Sequence, residues 1–183
     1  MRFTLTELPG AVIIDPELIE DERGFFTRAF CQHEFEDHGL LPFVAQCNLS
    51  FNHQAGTLRG LHYQVPPAAE AKFVRCVQGA IIDVIVDLRV ESPTFLRHIS
   101  VELTATNRRA LYVPPLFAHG YQTLSDRSEV LYQVSEFYAP SAERSLRYDD
   151  PTLGISWPLE VTIISEKDAA APHVADVKGM AST

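Results

Sequence analysis

The sequence predicts one all-β domain of antiparallel strands, and three observations support this fold class. Short runs rich in Val, Ile, Phe and Tyr recur along the 183 residues, and turn-forming residues separate them. The chain contains twelve prolines and nine glycines, which punctuate these runs. Helical periodicity is confined to two short segments. We therefore expect a barrel or two stacked sheets, because both arrangements protect strand edges.

Eight runs along the chain have the composition of strands. In chain order they are Gly24–Phe30, Phe43–Phe51, Thr57–Gln64, Lys72–Gln78, Ala80–Leu88, His98–Leu103, Ala110–Val113 and Glu129–Tyr138. The fifth run is largely apolar on both faces and carries acids at alternate positions, which predicts a central strand. Its Asp83 then faces either a polar interior or a buried partner.

The predicted helices are short and peripheral, over Gln32–His38 and Ser165–Ala171. Residues 174–183 have the composition of a loose C-terminal tail. No internal repeat or linker divides the chain, so residues 1–183 are interpreted as a single domain.

The composition argues against several classes of protein. A net charge of −9 disfavours nucleic-acid binding, although a few arginines can still bind an anionic small molecule. No apolar run approaches the ~20 residues that span a bilayer, and the N-terminus lacks a secretory signal, so we expect a cytoplasmic protein. Cys31, Cys47 and Cys76 form no CxxC pair, as expected of free thiols in a reducing compartment.

The segment Gly56–Gln64 contains the first candidate catalytic residue, His62. Strict strand alternation places Arg59 and His62 on opposite faces, because their separation is odd. A bulge at Gly60 would bring both side chains to the same face. His62 is then either a base directed into a cavity or a hydrogen-bonded core histidine.

A second histidine, His119, follows a predicted strand and the Pro114-Pro115 turn. It is either a functional residue or a turn residue whose ring satisfies a backbone carbonyl. Neither His119 nor His62 belongs to an HxH or HExxH motif, and this small number of ligands argues against a metal site.

Tyr132 and Tyr138 share one strand face if their run is regular. Each tyrosine either packs in the core with its hydroxyl bonded or directs its phenol into a cavity, where it can donate a proton. Lys72 opens a predicted strand, where most lysines are solvated, so its position alone indicates no function.

Asp168 has two interpretations that spacing does not separate. Ser165 and Asp168 match a helix capping box, in which the carboxylate accepts a hydrogen bond from the Ser165 amide. Alternatively, the carboxylate orients the imidazole of His62 and stabilises its protonated form.

Taken together, several blocks of the sequence resemble the dTDP-4-dehydrorhamnose 3,5-epimerase family. They occur in family order from about Leu8 to Pro172, and eight blocks in order are far more specific than any one of them. The matching blocks are Asp21–Phe26, Gln46–Ser50, Leu58–Gln64, Asp83–Arg89, Ser92–Phe95, Phe117–Gly120, Asp150–Leu153 and Ser165–Asp168.

The resemblance implies an all-β, cupin-type jelly roll with short peripheral helices, working as a homodimer without a metal or other cofactor. In that dimer an N-terminal strand of one subunit would line the partner's site. The implied reaction inverts carbons 3 and 5 of a nucleotide-diphospho-4-keto-6-deoxyhexose, converting dTDP-4-dehydro-6-deoxyglucose to dTDP-4-dehydrorhamnose.

The family's functional residues map onto positions of this sequence. The resemblance implies His62 as the base and Asp168 as its orienting partner. It implies Tyr132 as the acid on the opposite ring face and Lys72 as the stabiliser of the enolate. The implied substrate-binding residues are Gln46, Asn48, Arg59, His119, Tyr138 and Glu143, together with Arg23, Phe26 and Arg28 of the N-terminal segment.

Arg28 departs from the family pattern, which usually has a glutamate at this position. A carboxylate can accept a hydrogen bond from thymine N3–H, whereas arginine only donates. Thymine is therefore the default base, and cytosine, which offers acceptors at N3 and O2, is the alternative hypothesis. Two further alternatives for Arg28 are that it turns outward or that it binds a phosphate.

Three other functions stay open from the sequence. A mono-epimerase, acting at carbon 3 or carbon 5 alone, can keep the same base and acid. A non-catalytic cupin that binds a sugar nucleotide predicts loss of the proton-transfer residues, which are all present here. A metal-dependent cupin enzyme predicts stoichiometric metal in the purified protein.

Overall fold

Two antiparallel sheets form the protein in the computed structural model, which describes residues 1–177. The strands of these residues are β1 (Arg2–Leu5), β2 (Val12–Asp15), β3 (Ile19–Asp21), β4 (Gly24–Phe26), β5 (Gln46–Asn52), β6 (Leu58–Gln64), β7 (Lys72–Gln78), β8 (Ala80–Asp87), β9 (His98–Thr104), β10 (Ala110–Val113), β11 (Phe117–Thr123), β12 (Ser128–Val134) and β13 (Glu143–Ser145). One sheet has the order β1-β2-β10-β7-β12-β5 and the other β13-β6-β11-β8-β9, while β3 and β4 form a separate hairpin. The predicted all-β class is confirmed.

The hydrophobic core lies between the two sheets, because alternate side chains of each strand point inward. Buried residues of both sheets form one cluster, which includes Val74, Cys76, Leu111, Val113, Val130, Ile81, Ile85, Val101, Leu103, Phe117 and Tyr121. The run predicted to be a central strand is β8, which lies between β11 and β9, and its Asp83 is fully buried.

The helices are short and peripheral, as predicted: α1 covers Gln32–Asp37 and α2 covers Glu166–Ala169. The ring of Phe35 in α1 packs edge-on against Phe73 of β7, with the ring centroids 5.1 Å apart. No helix in residues 1–177 is long and apolar enough to cross a lipid bilayer.

The predicted C-terminal tail begins with a 3₁₀ turn at Val174–Asp176. The amide of Val174 donates to a carboxylate oxygen of Asp150, and Val174 and Val177 pack against a cluster of buried apolar residues. Residues 174–177 are therefore docked on the domain rather than loose. Residues 178–183 lie outside the described part of the chain.

Two predicted strands, Lys72–Gln78 and Ala110–Val113, match the structure at both ends. The segment with His119 differs from the turn considered for it, since it is strand β11, paired with β6 on one side and β8 on the other. The last predicted run ends as a strand at Val134. Tyr132 and Tyr138 consequently do not share a strand face.

Strand β6 has the bulge that the sequence allows at Gly60. His62 pairs with His119 across β6 and β11, whereas Arg59 pairs with Tyr121, so β6 has one more residue than β11 between the two pairs. Gly60 has a φ of 105°, and a Cβ at this position would lie 2.6 Å from the carbonyl oxygen of His119. Only glycine fits this backbone without a shift of β11.

Candidate active site

His62 and Asp168 form a hydrogen-bonded pair at the edge of a cavity between the sheets. Nε2 of His62 lies 2.6 Å from Oδ1 of Asp168. The side chain of His62 is 34% exposed, whereas that of Asp168 is 5% exposed. The imidazole is thus accessible to a ligand, while the carboxylate behind it is shielded. This arrangement suits a base whose protonated form is stabilised by a fixed carboxylate.

The backbone around α2 fixes the Asp168 carboxylate. Its Oδ2 accepts a hydrogen bond from the Gly60 amide at 3.2 Å, while the Asp168 amide donates to the Ser165 hydroxyl at 3.1 Å. Ser165 therefore caps α2, but the carboxylate binds His62 instead of closing a capping box. Burial raises the pKa of Asp168, but hydrogen bonding and the charge of His62 outweigh it, so the pKa lies below its usual value.

Lys72 is buried at the start of β7 and is only 8% exposed, in contrast to the solvated position of most such lysines. Its ammonium contacts the carboxylate of Glu70. Burial lowers the pKa of Lys72 to about 8, and the charge of the Glu143 carboxylate opposes this shift. A lysine held in this way is a fixed cationic donor beside the cavity.

Tyr132 lies on β12, in the sheet opposite that of His62, with Asn48 and Val74 as its cross-strand neighbours. Burial raises the pKa of Tyr132, the nearby Tyr121 adds to the rise, and the Arg59 charge opposes it. The phenol therefore stays protonated at neutral pH and can act as a proton donor.

Two adjoining cavities, of about 460 Å³ and 320 Å³, share the side chains of His62, Lys72 and Tyr132. The larger cavity is also lined by Arg59, His119, Tyr121, Lys167 and Asp168, among others. The smaller one is also lined by Gln46, Asn48, Gln64, Glu70, Tyr138 and Glu143, among others. Such volumes are typical of small-molecule sites. A ligand in this space lies between side chains of the two sheets.

Polar networks hold the binding candidates around the two cavities. Nε of Arg59 donates to Oδ1 of Asn52 at 2.8 Å. The Glu143 carboxylate accepts from the Tyr138 hydroxyl at 2.9 Å and from Nζ of Lys167 at 2.6 Å. Burial raises the pKa of Glu143, but the effect of these two partners is larger and in the opposite direction. The pKa therefore lies below its usual value, and Glu143 is ionised at neutral pH.

His119 forms a second histidine–carboxylate pair, deeper in the protein. Its Nε2 lies 2.6 Å from Oδ1 of Asp83, and neither residue is more than one tenth exposed. The angles of this contact are not those of a hydrogen bond, and neither oxygen of Asp83 has a hydrogen-bond partner in the described residues. Asp83 thus contacts a partner inside the protein, the His119 side chain, and His119 also lines the larger cavity.

Three predicted binding residues lie away from both cavities of this chain. Arg23 forms an ion pair with Asp21 at the turn of the β3–β4 hairpin. Phe26 is 70% exposed, and Arg28 binds Glu34 with its Nη1 3.2 Å from Oε1. The hairpin therefore contributes nothing to the site of its own chain.

Sequence reasoning missed Glu70, Lys167 and Tyr121 in the cavity walls. Lys167 was detectable, since it precedes Asp168 in the same short helix. Glu70 and Tyr121 carry no motif of their own, and only the pairing of distant strands reveals them. The described residues contain no group of three or more His, Cys, Asp or Glu side chains placed to hold a metal ion.

Comparison with known proteins gives the same family at the level of sequence. The family model described as dTDP-4-dehydrorhamnose 3,5-epimerase matches residues 5–176. The dTDP-4-dehydrorhamnose 3,5-epimerase of Shigella flexneri is 43% identical over 177 residues, which cover 96% of this chain and 97% of that protein.

Solved structures of the family have the same fold. The dTDP-6-deoxy-D-glucose-3,5-epimerase of Legionella pneumophila, in complex with dTDP-4-keto-L-rhamnose, gives a TM-score of 0.91 at 38% identity, covering 97% of this chain and 94% of that one. A 3′-monoepimerase from Streptomyces bikiniensis in complex with dTDP-quinovose gives 0.86 at 36% identity, with 93% and 86% covered. The cupin-type jelly roll implied by the sequence blocks is confirmed. This chain belongs to the dTDP-4-dehydrorhamnose 3,5-epimerase family.

Proposed function

We propose that this protein inverts carbons 3 and 5 of dTDP-4-dehydro-6-deoxyglucose and so produces dTDP-4-dehydrorhamnose. One observation carries the proposal beyond family membership. His62, backed by Asp168, and Tyr132 come from opposite sheets and line the same cavity space. A sugar ring bound between them has a base on one side and an acid on the other.

The keto group at carbon 4 makes this chemistry accessible. It acidifies the hydrogens of both neighbouring carbons, so one imidazole can remove either proton as the ring reorients. Removal leaves an enolate, whose oxygen needs a fixed donor. We assign this role to the Lys72 ammonium, and a preorganised donor of this kind contributes about 3 kcal/mol to the transition state.

Inversion requires a proton from the face opposite the base. We assign this step to Tyr132, whose raised pKa keeps the phenol protonated until a carbanion forms. Asp168 stabilises the imidazolium while the enolate exists and keeps the ring in place. His62 then releases the abstracted proton to solvent and the Tyr132 phenolate takes one from solvent, so each inverted centre exchanges one carbon-bound hydrogen and both groups are reset for the next.

We assign substrate binding to the polar residues around this proton-transfer set. Arg59 and Lys167 provide positive charge in the larger cavity, which suits a diphosphate, and His119 lies beside them. In the smaller cavity, the amides of Gln46 and Asn48 and the Tyr138–Glu143 pair offer donors and acceptors to sugar hydroxyls.

We further propose a homodimer in which the β3–β4 hairpin completes the partner's site. The hairpin exposes Phe25 and Phe26, which are 46% and 70% exposed, and its Arg23 serves no cavity of its own chain. The outer face of β5 also exposes Leu49 and Phe51. Sedimentation of the native protein should give a dimer, and Phe26→Asp should raise the KM more than it lowers kcat. A native monomer with full activity would contradict this part of the proposal.

Thymine is the base we propose, despite Arg28. Glu34 binds Arg28 through Oε1 and the N-terminal ammonium through Oε2, and we assign the acceptor for thymine N3–H to the remaining lone pairs of this carboxylate. A clear preference for the CDP sugar over the dTDP sugar would overturn this assignment.

The second candidate is mono-epimerisation, favoured by the likeness to the 3′-monoepimerase of Streptomyces bikiniensis. Both candidates share the base and acid, so only the number of exchanged hydrogens separates them. If one of the two hydrogens exchanges and the other does not, the 3,5-epimerase assignment fails.

The decisive experiment follows both positions by NMR in D₂O with dTDP-4-dehydro-6-deoxyglucose. The native protein should exchange the hydrogens of carbons 3 and 5, whereas His62→Ala should be slower by roughly 10³-fold, since it lacks the base. His33→Ala, whose imidazole is 91% exposed on α1, is the matched control and should exchange at the native rate. Exchange by His62→Ala at the native rate would remove the proposed mechanism.

A further inference from the structure

Glu70 is a buried carboxylate that no motif of the sequence predicts to be functional. It contacts the ammonium of Lys72, and the two side chains are only 9% and 10% exposed. Its other oxygen, Oε2, accepts a hydrogen bond from Nε2 of Gln64 at 2.8 Å. Both oxygens of Glu70 are therefore engaged, one with the proposed enolate stabiliser and one with the neighbouring strand β6.

Gln64 holds Glu70 in a fixed position. Its Nε2 also lies 2.9 Å from the carbonyl oxygen of Ala68 and 3.2 Å from that of Phe137, so its two hydrogens are shared among three acceptors, while its Oε1 accepts from the Ala139 amide at 2.6 Å. The side chain is 3% exposed, so these contacts are not exchanged for water. A carboxylate fixed in this way can direct the ammonium that it binds.

We propose that Glu70 is a positioning residue, which holds the Lys72 ammonium as its buried counter-ion and aims it at the oxygen on carbon 4 of the sugar. The inference rests on the proposed function, because the oxygen that Lys72 meets is that of the enolate. An ammonium has three N–H donors. With one of them given to Glu70, two are left for the substrate.

The charges around Lys72 explain why a counter-ion is needed. A buried ammonium without a partner loses its proton readily, because burial disfavours the charged form. The other titratable groups lining the smaller cavity are His62, Tyr63, Tyr132, Tyr138 and Glu143. Two carboxylates therefore act on Lys72: Glu70 is in direct contact with it, whereas Glu143 is bound to Lys167 and raises the pKa of Lys72 through its charge alone.

The larger cavity, which Lys72 also lines, contributes the cations Arg59 and Lys167 as well as the His119 imidazole, while the carboxylate of Asp168 is bound to His62. Burial is what lowers the pKa of Lys72. Glu70 offsets this cost of burial through its direct contact with the ammonium.

The test is Glu70→Gln, which keeps the size of the side chain and removes its charge, compared with the exposed Glu102→Gln on β9 as the matched control. Without the carboxylate the pKa of Lys72 falls. In a titration towards high pH, the ammonium therefore loses its proton earlier in the variant than in the native protein. We expect the alkaline limb of the kcat profile to move down by roughly one pH unit or more. The KM should change less than twofold, because the enolate exists only after proton removal.

Two further measurements guard against a variant that fails to fold. Glu70→Asp keeps the carboxylate and should retain the native alkaline limb. The ¹³C shift of the Lys72 ε-carbon, followed against pH in native and Glu70→Gln protein, reports the same downward displacement without turnover.

The outcomes separate this inference from the proposed function. A native protein that exchanges neither hydrogen overturns both. A native protein that exchanges them, with Glu70→Gln showing the native alkaline limb and an unshifted Lys72 titration, overturns the role of Glu70 alone. We expect Glu70→Gln to displace both the alkaline limb of the kcat profile and the titration of the Lys72 ε-carbon. We expect neither displacement in Glu102→Gln or Glu70→Asp.

Discussion

The two histidine–aspartate pairs of this protein have the same close contact but different surroundings. In each pair, Nε2 of the histidine lies 2.6 Å from Oδ1 of the aspartate. The histidines are direct neighbours across β6 and β11. The carboxylate of Asp168 lies in helix α2, near the C-terminus of the described residues. That of Asp83 lies on strand β8, which pairs with β11.

The carboxylates differ in the donors that support them. Asp168 also accepts from the Gly60 amide, and its imidazole is one third exposed to the cavity. Asp83 is fully buried and has no hydrogen-bond partner in the described residues. A carboxylate that also accepts from a backbone amide can stabilise the imidazolium. An imidazole exposed to the cavity can take a proton from a ligand and release it again. The groups around a pair, rather than its internal distance, therefore decide whether it can perform acid–base chemistry.

The largest expected effect that tests this comparison is that of Asp168→Asn. The amide keeps the shape but no longer stabilises the imidazolium, so we expect kcat to fall on the order of 10²-fold in a stopped assay of epimerisation. The substitution should leave the KM close to the native value, because Asp168 is shielded behind His62.

Asp83→Asn is the matched variant in the other pair. Asp83 lines neither cavity, so we expect kcat to stay within about tenfold of the native value. A larger loss in Asp83→Asn than in Asp168→Asn would reverse the roles assigned to the two pairs.

A smaller effect is expected from Gly60→Ala, which alters the bulge between the two histidines. The added Cβ would meet the His119 carbonyl oxygen at 2.6 Å, and φ of 105° is strained for alanine. We expect a loss of about 2 kcal/mol in the free energy of unfolding, measured in urea.

Gly154→Ala is the control for this strain. Gly154 also has a positive φ, of 62°, but a Cβ there has nothing within 4 Å. Its substitution should cost less than Gly60→Ala. Equal losses in the two variants would show that the contact with β11 is unimportant.

Local patterns predicted the parts of the fold that depend on few residues. The run Ala110–Val113 is apolar and bounded by a turn, and it is a strand with the predicted ends. The glycine between Arg59 and His62 indicated where a bulge would bring both side chains to one face, and the structure has the bulge there. Both short helices were recognisable from their flanking residues and composition.

Other features depend on contacts between distant segments and could not be read from local patterns. Strand β11 follows two prolines and contains Gly120, so it resembles a turn, yet pairing on both edges stabilises it. Ser165 caps α2 whether or not Asp168 binds His62, so the capping motif could not reveal the pair. The family blocks supplied that assignment, and the fold then brought the two side chains together.

The position of Asp168 in the C-terminal segment determines when the active site can form during synthesis of the chain. Its residues bond to the start of β6, where the amide of Leu58 donates to the Ile163 carbonyl and that of Thr162 to the Gly56 carbonyl. A nascent chain that ends at residue 150 contains every strand of both sheets but not yet Asp168. Asp168 is therefore synthesised after every strand, and its pair with His62 forms only once the segment that follows β13 has docked beside β6.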